Sequence, residues 1–178
     1  LMQIVLVTGL ALDGPAIAAE SLIGKALGDK NNARAKFRTA VRATVRLSGY
    51  FAVGLCLFLI LGRDLTLALV IPDTAAPTLR AEVETYYIWA VISPLILVFP
   101  FYLDGVFIGA TRGKELRNSM FLATALFGLT SWGLRPFFGN HGLWLAFGLY
   151  MLARAGTLIF WWDRVTGSVS GTNLSPKR

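Results

Sequence analysis

An acidic residue, Asp104, lies inside the long apolar segment that begins near Tyr86 and ends before the basic residues Arg112, Lys114 and Arg117. A charged side chain in the apolar part of a membrane is costly. It usually faces a protein interior or a water-filled cavity on a transport path. A carboxylate in that position can bind a cation or accept a proton. The sequence therefore predicts that Asp104 binds a cation or accepts a proton on a transport path.

Two further acids, Asp13 and Glu20, lie in the first apolar block. Their spacing of seven residues places them on one face of a helix, and Asp13 is expected near the middle of the membrane. We predict that both contribute to binding of the cation or the substrate. The same apolar blocks contain prolines, which remove a backbone hydrogen bond and can bend a helix. The predicted hinges are Pro15, Pro94 and Pro100.

Several of these polar residues also have a purely structural interpretation. Asp104 can be an acid that hydrogen-bonds backbone groups left free by the neighbouring prolines. Glu20 can pair with a basic residue at the end of its own helix or on a neighbouring helix. Arg154 lies within the last apolar block, where a long basic side chain is expected to extend to the membrane surface. His141 follows Gly-Asn in a short connection and is predicted to be a turn or cap residue rather than a proton carrier.

The elements that must position these acids are apolar helices. Of the 178 residues, 55% are hydrophobic and 15% are charged, whereas a soluble domain carries roughly a quarter charged residues. The apolar residues collect in blocks near the roughly 20 residues that cross a bilayer. We predict an all-α polytopic membrane protein, with residues 1–165 as part of one lobe and residues 166–178 as a disordered cytoplasmic tail. The five predicted spans cover residues 2–27, 39–61, 78–111, 116–132 and 142–162.

Charge alternates along the connections between these spans. Residues 25–46 hold seven basic residues and one acid, residues 62–84 are net acidic, and residues 112–117 are basic again. Basic connections remain on the cytoplasmic side of a membrane. The chain is therefore predicted to cross the lipid bilayer five times and to end in the cytoplasm. This orientation explains the net charge of +7, and no nucleic-acid partner is predicted.

The sequence contains no pattern typical of an enzyme. The single cysteine, Cys56, supports neither a disulfide framework nor a metal site. Two Leu-Asp-Gly strings, at 12–14 and 103–105, lack the Gly-x-Gly-Asp string expected of a membrane aspartyl protease. No phosphate-binding glycine loop or activated serine is present, so we predict neither catalysis nor a cofactor. The sequence opens at Leu1 without a signal-peptide pattern, and we expect it to be part of a longer protein.

Three strings resemble the multidrug and toxic compound extrusion (MATE) transporters, and more narrowly their DinF-like (DNA-damage-inducible) branch. They are ALDGPAIAAESLIGKALGDK (11–30), YLDGVFIGATRGKELRNSM (102–120) and GNHGLWLAFGLYMLARAG (139–156). Members of the family have twelve transmembrane helices in two six-helix lobes, and this chain resembles the eighth to twelfth helices, most of the C-terminal lobe. The resemblance implies that the chain's main partner is the N-terminal lobe of the same protein.

The resemblance also implies a function. MATE transporters export organic cations and other amphipathic compounds, such as drugs and toxic metabolites, in exchange for protons or sodium ions. They work by alternating access. Their tenth helix commonly carries an acid tied to cation coupling, and Asp104 lies on the matching helix. The implied location is the bacterial inner membrane.

Two alternatives to antiport are a flippase and a membrane scaffold. A lipid-linked oligosaccharide flippase has the same general architecture, but it would need a cationic cleft for a pyrophosphate head group, whereas the acids here favour cations. A membrane scaffold that transports nothing would have no use for three costly acids at membrane depth. We therefore predict an antiporter in which protonation of Asp104, or sodium binding to it, bends the proline-containing helix and releases the substrate.

Overall fold

All regular structure in the described part of the chain is helical. The computed structural model describes residues 1–29, 31–72 and 76–171, without the side chains of residues 168–171. Within these ranges the chain forms six helices: α1 Met2–Leu27, α2 Ala33–Leu61, α3 Arg63–Val70, α4 Pro77–Gly109, α5 Gly113–Phe160 and α6 Trp162–Gly171. Four helical stretches are long and apolar enough to cross a membrane: α1, α2, α4 and the stretch Gly113–Gly167. The predicted all-α polytopic fold is confirmed.

Helix α5 is a hairpin of two arms. Gly139 has φ +55° and ψ −131°, which are not helical values, and the positive φ favours glycine. The chain reverses direction at Gly139. The reversal is evident from the contact between the two arms, in which Ser119 near the start of α5 hydrogen-bonds the carbonyl of Arg154 near its end. The first arm (residues 113–138) and the second arm (residues 140–160) are each long enough to cross a bilayer. The described helices therefore run from one end of the bundle to the other five times.

The hairpin differs in detail from the sequence expectation. The predicted fourth span stops at residue 132, but the helix continues through Pro136 to the reversal at Gly139. The two arms touch closely just beyond it, since a Cβ atom at Gly142 would lie 2.6 Å from the carbonyl oxygen of Leu134. The tight turn therefore depends on one glycine for its backbone angles and on another for close contact.

The two ends of the bundle differ in charge. At one end, the start of α2, the α4–α5 connection and α6 share an apolar cluster that includes Phe37, Leu116 and Val165. These segments carry most of the basic residues, and we name this the basic end. At the opposite end, α3 packs beside Leu59 and Tyr87, and the hydroxyl of Tyr87 donates to the carbonyl of Leu59 at 2.8 Å. Charge alternation along the sequence thus corresponds to alternation between the two ends.

Helices α1 and α4 approach each other so closely that their backbones are in contact. A Cβ atom at Gly105 would lie 2.2 Å from the carbonyl oxygen of Ala16, and one at Gly109 would lie 2.5 Å from that of Glu20. Both distances are too short for any side chain. The Gly-x-x-x-Gly spacing places both glycines on one face of α4, a pattern that lets membrane helices pack closely. This contact fixes α1 directly beside Asp104.

The helices continue through the predicted hinges. Pro15 is buried within α1, and Pro94 and Pro100 are fully buried within α4. The hydroxyl of Ser93 donates to the carbonyl oxygen of Ala90 at 2.8 Å, and this is the carbonyl that Pro94 leaves without a backbone donor. A membrane helix tolerates proline when such groups are satisfied. Bending at these prolines remains a prediction.

The end of the described chain is more ordered than predicted. Residues 166–171 were expected to be disordered, but they belong to helix α6. Val165 is fully buried in the basic-end cluster, and the hydroxyl of Thr166 donates to the carbonyl of Asp163 at 3.2 Å. The apolar contact holds α6 on the bundle, so the prediction was wrong for residues 166–171. The rest of the predicted tail, residues 172–178, lies outside the described residues.

Candidate functional site

A cavity of about 270 Å³ opens between α1, α4 and the second arm of α5. All three acids predicted from the sequence line it: Asp13 and Glu20 on α1, and Asp104 on α4. Arg154, on the second arm, is the basic residue of the lining. The cavity therefore combines three carboxylates with one guanidinium, a formal charge of −2 when all four groups are ionised. We name this cavity, defined by its four charged residues, the acidic cavity.

The centre of the acidic cavity is an ion pair. Nη2 of Arg154 donates to Oδ2 of Asp104 at 2.5 Å, and the two side chains are only 11% and 17% exposed. A charge-assisted hydrogen bond of this length is strong. The expectation that Arg154 extends to the membrane surface was wrong. Its side chain turns inward because the carboxylate of Asp104 supplies the charge that stabilises a buried guanidinium.

The ion pair leaves two buried polar atoms unused. Oδ1 of Asp104 and Nε of Arg154 have no hydrogen-bond partner in the described part of the chain. Buried polar atoms in proteins are almost always paired, and exceptions often mark functional sites. The site therefore retains one acceptor, which can take a proton or a cation, and one donor.

Asp13 and Glu20 form the α1 wall of the acidic cavity. Both are half-buried, and neither lies within 4.0 Å of a basic group in the ranges described. The structural interpretation of Glu20, an ion pair with a basic residue, therefore finds no partner within 4.0 Å there. These two acids leave the cavity with more negative than positive charge, which favours binding of cations.

The backbone at Arg154 is held by two hydroxyl groups. Ser119, on the first arm and fully buried, donates to the carbonyl oxygen of Arg154 at 3.0 Å, and Thr157 donates to the same oxygen at 2.9 Å. The two hydroxyl oxygens are 2.7 Å apart. This network joins the arms of the hairpin at the turn of helix that presents Arg154. Ser119 and Thr157 therefore position the ion pair without touching it.

Sequence reasoning missed the residues that assemble the site. The spacing of Gly105 and Gly109 was a usable signal, because Gly-x-x-x-Gly in an apolar helix predicts close helix packing. Ser119 gave no comparable signal, since a serine in an apolar helix commonly bonds its own backbone. Its actual partner is 35 residues away in the chain, and only the hairpin brings the two together.

The acidic cavity is not a preassembled metal cage. Among the described residues, no group of three or more His, Cys, Asp and Glu side chains is arranged to hold a metal ion. The carboxylates share one cavity but come from two helices, α1 and α4, and Asp104 already has Arg154 as a partner. Sodium binding at Asp104 therefore remains a prediction.

A second side-chain contact lies at the end of the bundle opposite the basic end. The indole nitrogen of Trp89, on α4, donates to Nδ1 of His141 at 3.0 Å, and the ring of His141 lies 4.5 Å from that of Tyr86. His141 follows the reversal at Gly139 by two residues, where the sequence predicted a turn or cap residue. The contact ties α4 to the hairpin at the end away from the basic connections.

The helices and the acidic cavity define a multi-pass, all-α membrane protein with a charged interior. A family model described as MatE matches residues 1–131, and the chain belongs to the MatE family. The chain is similar to DNA damage-inducible protein F of Escherichia coli (strain K12), with 38% identity over 164 residues, or 92% of this chain and 34% of that protein. The predicted family and its DinF-like branch are confirmed.

The match covers only part of the E. coli relative. The chain spans about a third of the length of the E. coli relative, which was matched over 34% of its residues. No solved structure matches the chain.

Proposed function

We propose that the protein is a secondary transporter that exports cationic or amphipathic organic compounds in exchange for protons or sodium ions. Membership of the MatE family supports transport, and the net negative lining of the acidic cavity supports cationic cargo. Because the chain spans 34% of its relative, the proposal concerns the protein in which these helices pack against an N-terminal lobe. The proposed location is the bacterial inner membrane.

The proposed orientation places the basic end, and with it the C-terminus, in the cytoplasm. The end of α1, the start of α2, the α4–α5 connection and α6 contribute to one apolar cluster at that end. Short basic connections resist transfer across the membrane. The opposite end, with Tyr86, Trp89 and His141, then faces the outside.

The observation that carries the proposal is the ion pair between Asp104 and Arg154. Arg154 acts as a cation belonging to the protein, and it occupies the carboxylate when no other cation does. An organic cation, a sodium ion or a proton at Asp104 competes with it. Competition for one carboxylate links substrate binding to ion binding, as exchange transport requires.

The same competition links binding to movement. Asp104 is on α4 and Arg154 is on the second arm of α5, so loss of the ion pair uncouples these two elements. The close glycine contact keeps α4 fixed to α1, and the second arm is the element that then shifts. Pro94 and Pro100 are the proposed points of bending within α4.

Substitution of Asp104 in the native gene product tests this mechanism. In liposomes with an imposed proton or sodium gradient, Asp104→Asn is expected to abolish ion-driven efflux of an organic cation dye. Glu84→Gln, an acid at the opposite end that is 41% exposed, serves as the matched control and is expected to retain transport. Unchanged efflux and pH dependence in Asp104→Asn would refute the mechanism.

A lipid-linked oligosaccharide flippase is less well supported. A pyrophosphate head group needs a cationic cleft, but three of the four charged residues in the acidic cavity are acids. In the same liposomes, transport of a fluorescent organic cation without movement of a pyrophosphate-linked lipid would support the antiporter.

A further inference from the structure

A second cavity, of about 560 Å³, lies at the basic end between α2 and α6. Arg34, Arg38 and Arg42 line its α2 wall, and their spacing of four residues places them on one helical face. Trp162 and Asp163 line the α6 wall. We name it the arginine cavity, and it is separate from the acidic cavity.

The floor of the arginine cavity is apolar. Phe37 is buried, with 5% of its surface exposed, and its ring centroid lies 6.3 Å from that of Trp162. Both rings pack on the apolar cluster of the basic end. The cavity therefore has an apolar base beneath a cationic rim, the arrangement expected for an amphiphilic ligand with an anionic head.

The three arginines are not neutralised by the protein. All are exposed, and within the described ranges none has a carboxylate within 4.0 Å. Lys36 on the same helix behaves differently, because it pairs with Asp29. Guanidinium groups bind phosphate oxygens through paired hydrogen bonds, and here three of them remain available along one wall.

The position of the cavity indicates what fills it. Trp162 follows the apolar second arm directly, and tryptophan is enriched where a membrane meets water. The arginines precede the apolar part of α2 at the same end. Basic pockets at this level bind anionic lipid head groups. We propose that the arginine cavity binds the phosphate head group of an anionic phospholipid, with the glycerol and acyl region against Phe37 and Trp162.

This lipid would add a bridge between two elements that already meet through Phe37 and Trp162. It would connect α2 to α6, and α6 continues directly from the arm that carries Arg154. The proposal does not depend on transport, because it rests on the arginines, the apolar floor and the membrane-surface position.

Native mass spectrometry of the native gene product tests the proposal. The protein is released from nanodiscs that contain equal amounts of phosphatidylglycerol and phosphatidylcholine, and retained lipids are counted. The wild type is expected to retain phosphatidylglycerol preferentially. Arg34→Gln, Arg38→Gln and Arg42→Gln combined are expected to reduce that preference about tenfold or more, since each basic residue contributes to binding at an anionic surface.

The matched control removes the same charge elsewhere at the basic end. Arg46→Gln, Lys114→Gln and Arg117→Gln combined alter exposed residues outside the cavity and are expected to keep the preference. An equal loss in both triple variants would show diffuse charge attraction and overturn the site. So would a wild type without preference, or inorganic phosphate that displaces the lipid at equal concentration.

A conservative variant separates binding from folding. Arg38→Lys retains the charge but loses the planar guanidinium, so it is expected to weaken retention of phosphatidylglycerol by a smaller factor than the triple variant. Its thermal unfolding midpoint in phosphatidylcholine nanodiscs should equal that of the wild type. Full retention in both Arg38→Lys and the triple variant would refute the proposal.

Discussion

The guanidinium of Arg154 lies 2.5 Å from the carboxylate of Asp104, although 50 residues separate them in the chain. Each side chain supplies the charge that lets the other remain buried, because an uncompensated charge away from water is costly. Within the described residues, Oδ1 of Asp104 and Nε of Arg154 have no hydrogen-bond partner. A single hydrogen bond therefore joins the pair, and a competing cation or a proton can replace it.

Loss of Arg154 is expected to destabilise the protein. Arg154→Gln leaves the carboxylate of Asp104 buried without a counter-charge, and we expect a loss of about 3 kcal/mol. Adding Asp104→Asn removes that charge, so the double variant should be more stable than Arg154→Gln alone. The measurement is unfolding by SDS titration in mixed micelles.

The exposed ion pair of Arg63 and Glu84 is the control for this effect. Its atoms are 3.6 Å apart, with side chains 48% and 41% exposed, and Arg63→Gln should cost less than about 1 kcal/mol. Equal losses in Arg63→Gln and Arg154→Gln would contradict a special role for the internal pair.

A methyl group at Gly105 is expected to separate α1 from α4. In Gly105→Ala the new Cβ atom would lie 2.2 Å from the carbonyl oxygen of Ala16, and overpacking of this kind costs about 1–3 kcal/mol. The thermal unfolding midpoint in detergent should fall. Gly128→Ala is the control because its Cβ atom meets no atom within 4 Å, and alanine favours helix over glycine. A normal midpoint in Gly105→Ala would show that the helices are further apart.

Removing the hydroxyl of Ser119 is expected to loosen the hairpin beside Arg154. Ser119→Ala loses the 3.0 Å hydrogen bond to the carbonyl of Arg154, and we expect a loss of about 1 kcal/mol together with slower efflux in liposomes. Ser131→Ala is the matched control, because Ser131 bonds the carbonyl of Phe127 within its own arm at 2.6 Å. If both variants transport equally well, Ser119 does not position the ion pair.

Acid is expected to weaken the connection between α1 and α2. The side-chain hydrogen bond from Lys36, aided by backbone donors of Asn31 and Asn32, lowers the pKa of Asp29 from 3.8 to about 2. A carboxyl whose folded-state pKa is lowered contributes stability above its unfolded value and loses it as the pH falls. The contribution of Asp29 should thus be complete above about pH 4 and vanish as the pH falls through about 2.

Thermal unfolding of wild type and Asp29→Asn across this range measures the effect. The midpoint of the variant should be slightly lower at neutral pH, and the difference should disappear toward pH 2. A difference that is constant with pH would show that the carboxylate charge of Asp29 is not responsible.

Much of the bundle followed from local properties of the sequence. Apolar length predicted helical crossings, and the seven-residue spacing placed Asp13 and Glu20 on one face, since helix geometry alone sets that relation. The alternating charge of the connections matches the basic and opposite ends of the bundle. These features depend on residues near one another in the chain, so the sequence determined them by itself.

The partners of the polar residues were decided by tertiary structure. The sequence predicted that Arg154 extends to the membrane surface, whereas the fold pairs it with Asp104. Residues 166–171 looked too polar for order, but burial of the preceding Val165 holds α6 against the bundle. A partner depends on how each helix is rotated and how closely its neighbour approaches. Here the glycines of α4 and the reversal at Gly139 determine the rotation and the approach of the helices. The residues that they bring together are far apart in the chain, so no local sequence pattern predicts the pairing.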